Sequence, residues 1–300
     1  MRITLVHAGA LGDTVLLAPL LRSLQARWPR CRRTVVMRAE FGRMLVRMKL
    51  AEAWADGDSV DHARWFAWHE TGSGQGELVP VPEWANCDLL ISAVGNGEDA
   101  WSKNAHLASD AEIHFFQPRP LSENVLSVPE FHRRQLVALH LPPDPIPPAR
   151  ATGTGPIILA LGAGSRHKCL PITHFIALAR EVRESGHQVA FMLGPVEWEK
   201  FSSVEIADLR NKFNIYKCET PDHLLDLFES SAGFIGNDSG PGHVAAAIGL
   251  PTLTLFSAGD PRQWSPIGPR VRVVAGPTAD SLLLAAKNQL PWLLAEGQQA

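Results

Sequence analysis

Residues 141–156 read Leu-Pro-Pro-Asp-Pro-Ile-Pro-Pro-Ala-Arg-Ala-Thr-Gly-Thr-Gly-Pro. Proline fixes φ and removes an amide donor, so such a run neither continues a helix nor sits in a central strand. It cuts the 300 residues into halves of 1–150 and 151–300, each long enough to bury a core of its own. On both sides of the cut, short apolar runs alternate with helical periodicity, the pattern of βαβ units around a parallel sheet. In the first half strands are predicted at 3–6, 34–37, 88–94 and 113–116, with a helix around 131–139. Leu16, Leu17, Leu20, Leu21, Leu24 and Trp28 predict one amphipathic helix ending before Pro29. In the second half strands are predicted at 157–161, 188–193, 214–216, 233–236 and 252–256, and helices at 172–185, 221–230 and 241–248. The stretch 279–296 reads as one or two helices, free to return to the first half. The expected fold class is α/β, two doubly wound domains.

Composition narrows the class further. A chain that is 45% hydrophobic and 20% charged, with formal charge −3, is neither disordered nor a coiled coil. Cys31, Cys87, Cys169 and Cys218 form no CxxC pair and no zinc spacing, so reduced thiols are expected. The opening Met-Arg-Ile-Thr-Leu-Val lacks the build of a secretory signal, and no uncharged apolar run approaches ~18 residues, so a cytoplasmic protein is expected. Near-neutrality hides a basic run: Arg22, Arg27, Arg30, Arg32, Arg33, Arg38, Arg43, Arg47 and Lys49 against the single acid Glu40. Such a run is either a solvated helix face or a contact for an anionic partner. The pI of about 6.5 favours a phosphorylated or membrane-surface partner over nucleic acid.

Three loops hold the chemistry. The first strand runs into His7-Ala-Gly-Ala-Leu-Gly12-Asp13-Thr14, which delivers a carboxylate to the start of a helix, outside the carboxyl end of a strand where open α/β sheets bind ligands. An Asp there also serves as an ordinary helix cap. The loop lacks the GxGxxG fingerprint of a dinucleotide site. Gly162-Ala-Gly-Ser165-Arg-His-Lys168-Cys-Leu-Pro follows the strand at 157–161 and offers small residues, a hydroxyl and a cation to a phosphate, or is merely a basic turn. Phe234-Ile-Gly-Asn-Asp238-Ser239-Gly240-Pro-Gly-His243 takes a buried strand into a helix whose start is suited to a diphosphate. Capping alone accounts for Asp238 or Ser239. His243, one turn in, is a ligand or a core histidine.

Together these motifs resemble glycosyltransferase family 9, the ADP-heptose:lipopolysaccharide heptosyltransferases. The Leu-Gly-Asp opening, the Gly-Ser turn before Lys-x-x-Pro, Gly194-Pro-Val-Glu197 and Asn237-Asp-Ser-Gly-Pro-Gly-His carry the likeness, over about 1–28 and 156–270. The resemblance implies a GT-B fold, two Rossmann-like domains facing across a cleft, acceptor on the first and nucleotide sugar on the second. It implies inverting, metal-independent transfer of a heptose or related sugar from an ADP-sugar to a lipid-linked or phosphorylated envelope saccharide. Asp13 would be the general base, with His7, Gly12 and Thr14 on the acceptor-side loop. Ser165, Lys168, Asp238, Ser239, Gly240, His243 and the amides from 239 to 243 would hold the donor diphosphate and sugar, and Glu197 the nucleotide or ribose. No cofactor or metal is implied, and the basic run would meet the inner face of an anionic membrane. His7 stands where the family usually carries Lys or Arg, and Leu170 where it carries Trp. A non-catalytic nucleotide- or glycan-binding protein of the same fold, or a GT-B epimerase, are the other readings. Residues 52–115, with Trp65, Trp68, Trp84, Trp101 and the Gly-rich 71–76, match no pattern, and the tryptophans suit sugar stacking or a core equally.

Overall fold

The computed structural model describes residues 1–67, 81–120, 126–149 and 154–297, and the chain divides within its proline-rich segment into units Met1–Pro145 and Ile146–Ala300. The first unit runs β1 (Arg2–Val6), α1 (Leu11–Val15), α2 (Ala18–Arg27), β2 (Arg32–Met37), α3 (Ala39–Arg47), β3 (Ala53–Asp56), α4 (Val60–Ala63), β4 (Leu89–Ser92), α5 (Ala100–Ala108), β5 (Glu112–Phe115) and α6 (Val128–Gln135). Its strands pair in parallel in the order β3-β2-β1-β4-β5. The single helix expected after β1 is two. Pro19 has no amide hydrogen to give to residue 15 and its ring crowds that carbonyl, so the chain turns at Leu16 and Leu17 before α2 begins. β3, unforeseen, is a four-residue edge strand of Ala-Trp-Ala-Asp, with neither alternation nor β-branched residues to announce it.

The basic run is partly consumed inside this unit. Arg22 makes two 2.6 Å bonds to Asp144. Arg33, 4% exposed, donates to both oxygens of Glu52 and to the Leu21 carbonyl. Arg38 approaches Glu40 at 3.5 Å and Arg43 lies over the Trp54 ring, and both of these arginines stay exposed. The surface that remains is therefore thinner than nine cations suggested. Trp65, Trp84 and Trp101 are buried against one another, with Trp65 centroids 4.8 and 5.4 Å from the other two. His62 joins them, its Nε2 accepting from Trp101 Nε1 at 3.0 Å while Nδ1 donates to the Gly57 carbonyl at 2.6 Å. These three rings form core, not a sugar platform. Trp68 and 71–76 lie outside the described residues.

The second unit runs β6 (Ile157–Ala160), α7 (Ile172–Glu184), β7 (Val189–Leu193), α8 (Pro195–Lys200), α9 (Ser203–Arg210), β8 (Asn214–Lys217), α10 (Pro221–Ser230), β9 (Gly233–Asn237), α11 (Gly240–Ala247), β10 (Thr252–Phe256), α12 (Pro261–Trp264), β11 (Val271–Ala275), α13 (Ala279–Lys287) and α14 (Leu290–Glu296). The parallel sheet has the order β11-β10-β9-β6-β7-β8. Phe175, Leu178, Ala179 and Val182 form the buried stripe of α7, and every residue of β9 and β10 is buried, as a strand covered on both faces requires. Leu282, Ala286, Leu290, Leu293 and Leu294 of α13 and α14 belong to this same core. The closing helices thus complete the second unit with the side chains that left their destination open. Arg270, 7% exposed, ties the turn after α11 to the end of α14, donating to the Gly249 and Glu296 carbonyls.

Each sheet starts at its centre and winds outward both ways. The order reverses between β1 and β4 in one unit and between β6 and β9 in the other. At such a reversal the loops leaving neighbouring strands diverge to opposite faces and open a crevice at the carboxyl ends.

Candidate functional site

In the first unit the loop leaving β1 carries His7 to Asp13 at the reversal. Asp13 is not the cap residue. It occupies the first turn of α1, where Oδ2 accepts from the Ala10 amide at 3.2 Å. Arg119, four residues beyond β5, closes on the same carboxylate, Nε to Oδ1 at 3.1 Å and Nη2 to Oδ2 at 2.5 Å. The Asp13 side chain is 9% exposed and that of Arg119 is 61% exposed, so a nearly buried anion is held by a cation that reaches it from the surface. Nothing local in the sequence marks Arg119; it meets Asp13 across 106 positions.

His7 is 2% exposed, and burial pushes its pKa down to about 4, against an opposing pull from Asp13. It is therefore neutral near pH 7 and is no substitute for a lysine or arginine. Its Nδ1 accepts from the Gly9 amide at 3.0 Å, which leaves the proton on Nε2. A Cβ at Gly9 would stand 2.2 Å from the His7 ring and 2.8 Å from Asp13 Cβ, so this loop closes only with glycine there. His132 of α6 is also buried and lowered in pKa by burial, with Nε2 donating to the Pro118 carbonyl. Among the described residues, His7 Nε2, Thr14 Oγ1 and His132 Nδ1 are buried without a hydrogen-bond partner. Gly12 lies in α1, on the turn that carries Asp13.

In the second unit the loops after β6 and β9 meet at the other reversal. Asn237, fully buried, donates to the Leu161 carbonyl at 2.8 Å and accepts from the Leu170 amide at 3.0 Å, pinning both ends of the 161–170 loop to β9. That loop turns through Ser165, whose carbonyl accepts from the Lys168 amide, and Lys168 Nζ lies 2.6 Å from Asp238 Oδ2. Asp238 is 7% exposed, and its other oxygen is 4.0 Å from His243 Nε2. Lysine, carboxylate and imidazole thus stand in a row beside the start of α11. Ser239 occupies the cap position of that helix, yet its hydroxyl makes no capping bond and is buried without a hydrogen-bond partner among the described residues. The amides of Gly242 and His243 are given to the Ser239 carbonyl and residue 241 is proline, so positions 241 to 243 do not supply the free backbone donors expected of them.

Glu197 sits in the first turn of α8, with Oε2 accepting from the Gly194 amide at 2.9 Å. Its carboxylate fills the place of a side chain at Gly162, where a Cβ would be 1.8 Å from Oε1. Gly162, Ala163, Cys169, Leu170, Pro171, Glu197, Lys200 and Phe201 line a cavity of about 280 Å³ next to Lys168. Leu170, in the place expected of Trp, is 3% exposed in its wall and also packs in the core. The second unit therefore brings Ser165, Lys168, Glu197, Asp238, Ser239, Gly240 and His243 to one end of its sheet, and the first brings His7, Gly12, Asp13 and Thr14 to one end of its own. Asn237 and Arg119 join them without having been singled out as site residues. Among the described residues no cluster of three or more metal-ligating side chains occurs, and no helix is long and apolar enough to cross a membrane.

Residues 101–289 match the family model of glycosyltransferase family 9 (heptosyltransferase). The chain belongs to glycosyltransferase family 9. Lipopolysaccharide heptosyltransferase 3 of Escherichia coli is 28% identical over 125 residues, 38% of this chain and 34% of that protein, so the match spans about a third of the curated relative. The solved structure of E. coli heptosyltransferase WaaC with ADP superposes with a TM-score of 0.70 at 16% identity, covering 99% of this chain and 100% of that one. E. coli ADP-heptose lps heptosyltransferase II gives 0.70 at 19% identity, covering 99% of each. These two share the GT-B fold of family 9 with this chain.

Proposed function

We propose that the chain is an inverting, metal-independent glycosyltransferase that moves a heptose or related sugar from an ADP-sugar to a hydroxyl of a lipopolysaccharide-type envelope saccharide. Family membership supports sugar transfer, and the WaaC structure with ADP supports an adenine nucleotide on the donor. The observation that carries the donor assignment is the Lys168–Asp238 pair beside the uncapped Ser239 hydroxyl at the start of α11. An ammonium, a hydroxyl and a helix start converge there as a diphosphate requires. The adjoining cavity takes the nucleoside, with Glu197 at the ribose, and Ser165, Gly240 and His243 complete the contacts to phosphates and sugar.

In the reaction the acceptor oxygen bonds to the anomeric carbon as the bond from that carbon to the diphosphate oxygen breaks. Asp13 takes the hydroxyl proton and the bonding pair leaves with ADP. Lys168 and the Ser239 and Gly240 amides stabilise the charge that gathers on the leaving diphosphate, each well-placed donor contributing about 3–4 kcal/mol. Work at the inner face of a membrane would rest on the cations left at the surface, Arg27, Arg30, Arg32, Arg38, Arg43, Arg47 and Lys49, whose attraction to anionic lipid weakens with salt.

The test is incubation with ADP-heptose and de-O-acylated, core-truncated lipopolysaccharide, with products followed by mass and repeated in EDTA. A product heavier by one heptose, undiminished by EDTA and lost in Asp13→Asn while ADP still binds by calorimetry, is the expected result. Loss in EDTA refutes metal independence, and ADP-heptose converted without acceptor points instead to an epimerase or hydrolase. Failure to bind ADP removes the donor assignment.

A further inference from the structure

We propose that Arg119 is the positioning residue of the Asp13 carboxylate, fixing its plane and supplying its counter-charge from the loop after β5. The proposal rests on the reading of Asp13 as the base. A guanidinium that meets a carboxylate with two parallel N–H groups fixes the orientation of both planes, which a single amide does not. Asp13 has that fork on Oδ1 and Oδ2, with the Ala10 amide also on Oδ2. Oδ2 thereby receives two donors and Oδ1 one. A carboxylate oxygen has room for two, so the pairing leaves Oδ1 able to accept a hydroxyl proton in a defined direction.

The neighbours do not duplicate this service. His7 and His132 are buried and neutral near pH 7, so neither gives the carboxylate a counter-charge. Without Arg119 the nearly buried carboxylate would keep the Ala10 amide and lose its cation. The site then has a base that swings, and a misplacement of about 1 Å in a reacting group lowers rate by roughly 100-fold. Because the Arg119 side chain is 61% exposed, its removal opens a path from solvent to Asp13 that a small planar cation can use.

The experiment uses the full chain in the ADP-heptose transfer assay. In Arg119→Ala, kcat should fall about 100-fold, with the KM for ADP-heptose within twofold and thermal unfolding unchanged. Guanidinium chloride at tens of millimolar should restore at least tenfold of that loss, while sodium chloride or urea at equal concentration should not. Arg119→Lys, which keeps the charge but loses the fork, should fall between. Asp13→Asn should be inactive and unresponsive to guanidinium. Wild-type kcat in Arg119→Ala, a loss confined to KM, or a folded variant that guanidinium fails to rescue would each overturn the positioning role. Transfer by Asp13→Asn would instead overturn the base assignment on which it stands.

Discussion

Three buried histidines make the first unit sensitive to mild acid. Burial holds His7 at about 4 against an ordinary value of 6.5, and pushes His62 and His132 down as well. A histidine whose folded pKa lies below its unfolded value binds its proton first in the unfolded chain. Its contribution is therefore complete above pH 6.5 and lost as pH falls toward the folded value. For His7 alone the gap of roughly 2.5 pH units corresponds to about 3 kcal/mol, of which about 2 kcal/mol is gone at pH 5. Global stabilities are typically ~5–15 kcal/mol, so this is a large fraction. Glu52 and Glu130, held below the usual carboxylate range by Arg33 and by Arg133 with Arg134 respectively, lose their contribution at still lower pH. The interval from pH 6.5 to 5 thus isolates the histidines. Urea unfolding followed by tryptophan fluorescence at pH 7.5, 6 and 5 measures the effect, since Trp65, Trp84 and Trp101 are packed together in this unit. The midpoint should drop steadily toward pH 5, and His7→Asn should show a shallower drop than wild type. A midpoint indifferent to pH across that interval, or an identical slope in His7→Asn, refutes the reasoning.

Other perturbations read the second unit and the surface. Gly162→Ala places a methyl group on the Glu197 carboxylate, so ADP affinity by calorimetry should fall at least tenfold with little change in secondary structure. Asn237→Ala removes two bonds to buried backbone groups and should lower stability in denaturant melts by about 2–3 kcal/mol, with weaker ADP binding in the folded fraction. Binding to anionic vesicles should decline with salt and fall in an Arg43→Ala, Lys49→Ala variant, whereas Arg22→Ala should act on stability through the broken Asp144 pair instead.

What could be read from the chain beforehand follows locality. Strand 252–256 and helix 221–230 match the observed β10 and α10 at both ends because their signals are adjacent: a run of β-branched and apolar residues in one, Thr220 and Pro221 at the start of the other. Lys168, Asp238 and His243 were legible as members of contiguous motifs, and the sheet order then brings those motifs together. Arg119 was not legible, because an ion pair spanning 106 positions leaves no periodic trace. That Arg22 and Arg33 are tied up inside the unit was not legible for the same reason: their partners, Asp144 and Glu52, lie 122 and 19 positions away. β11 and the pair α8 and α9 were missed too, β11 an edge strand only partly buried and α8 without a buried residue.

Asn237 decides how the second unit meets a small molecule. One carboxamide holds both ends of the loop that carries Lys168, so little backbone freedom remains to be lost when a nucleotide arrives. Association should then be quick and close to rigid-body, with a modest heat-capacity change set by the surface covered rather than by folding of the loop. Affinity becomes a matter of contacts, and a ligand that lacks one phosphate forfeits that contact without the loop loosening to compensate.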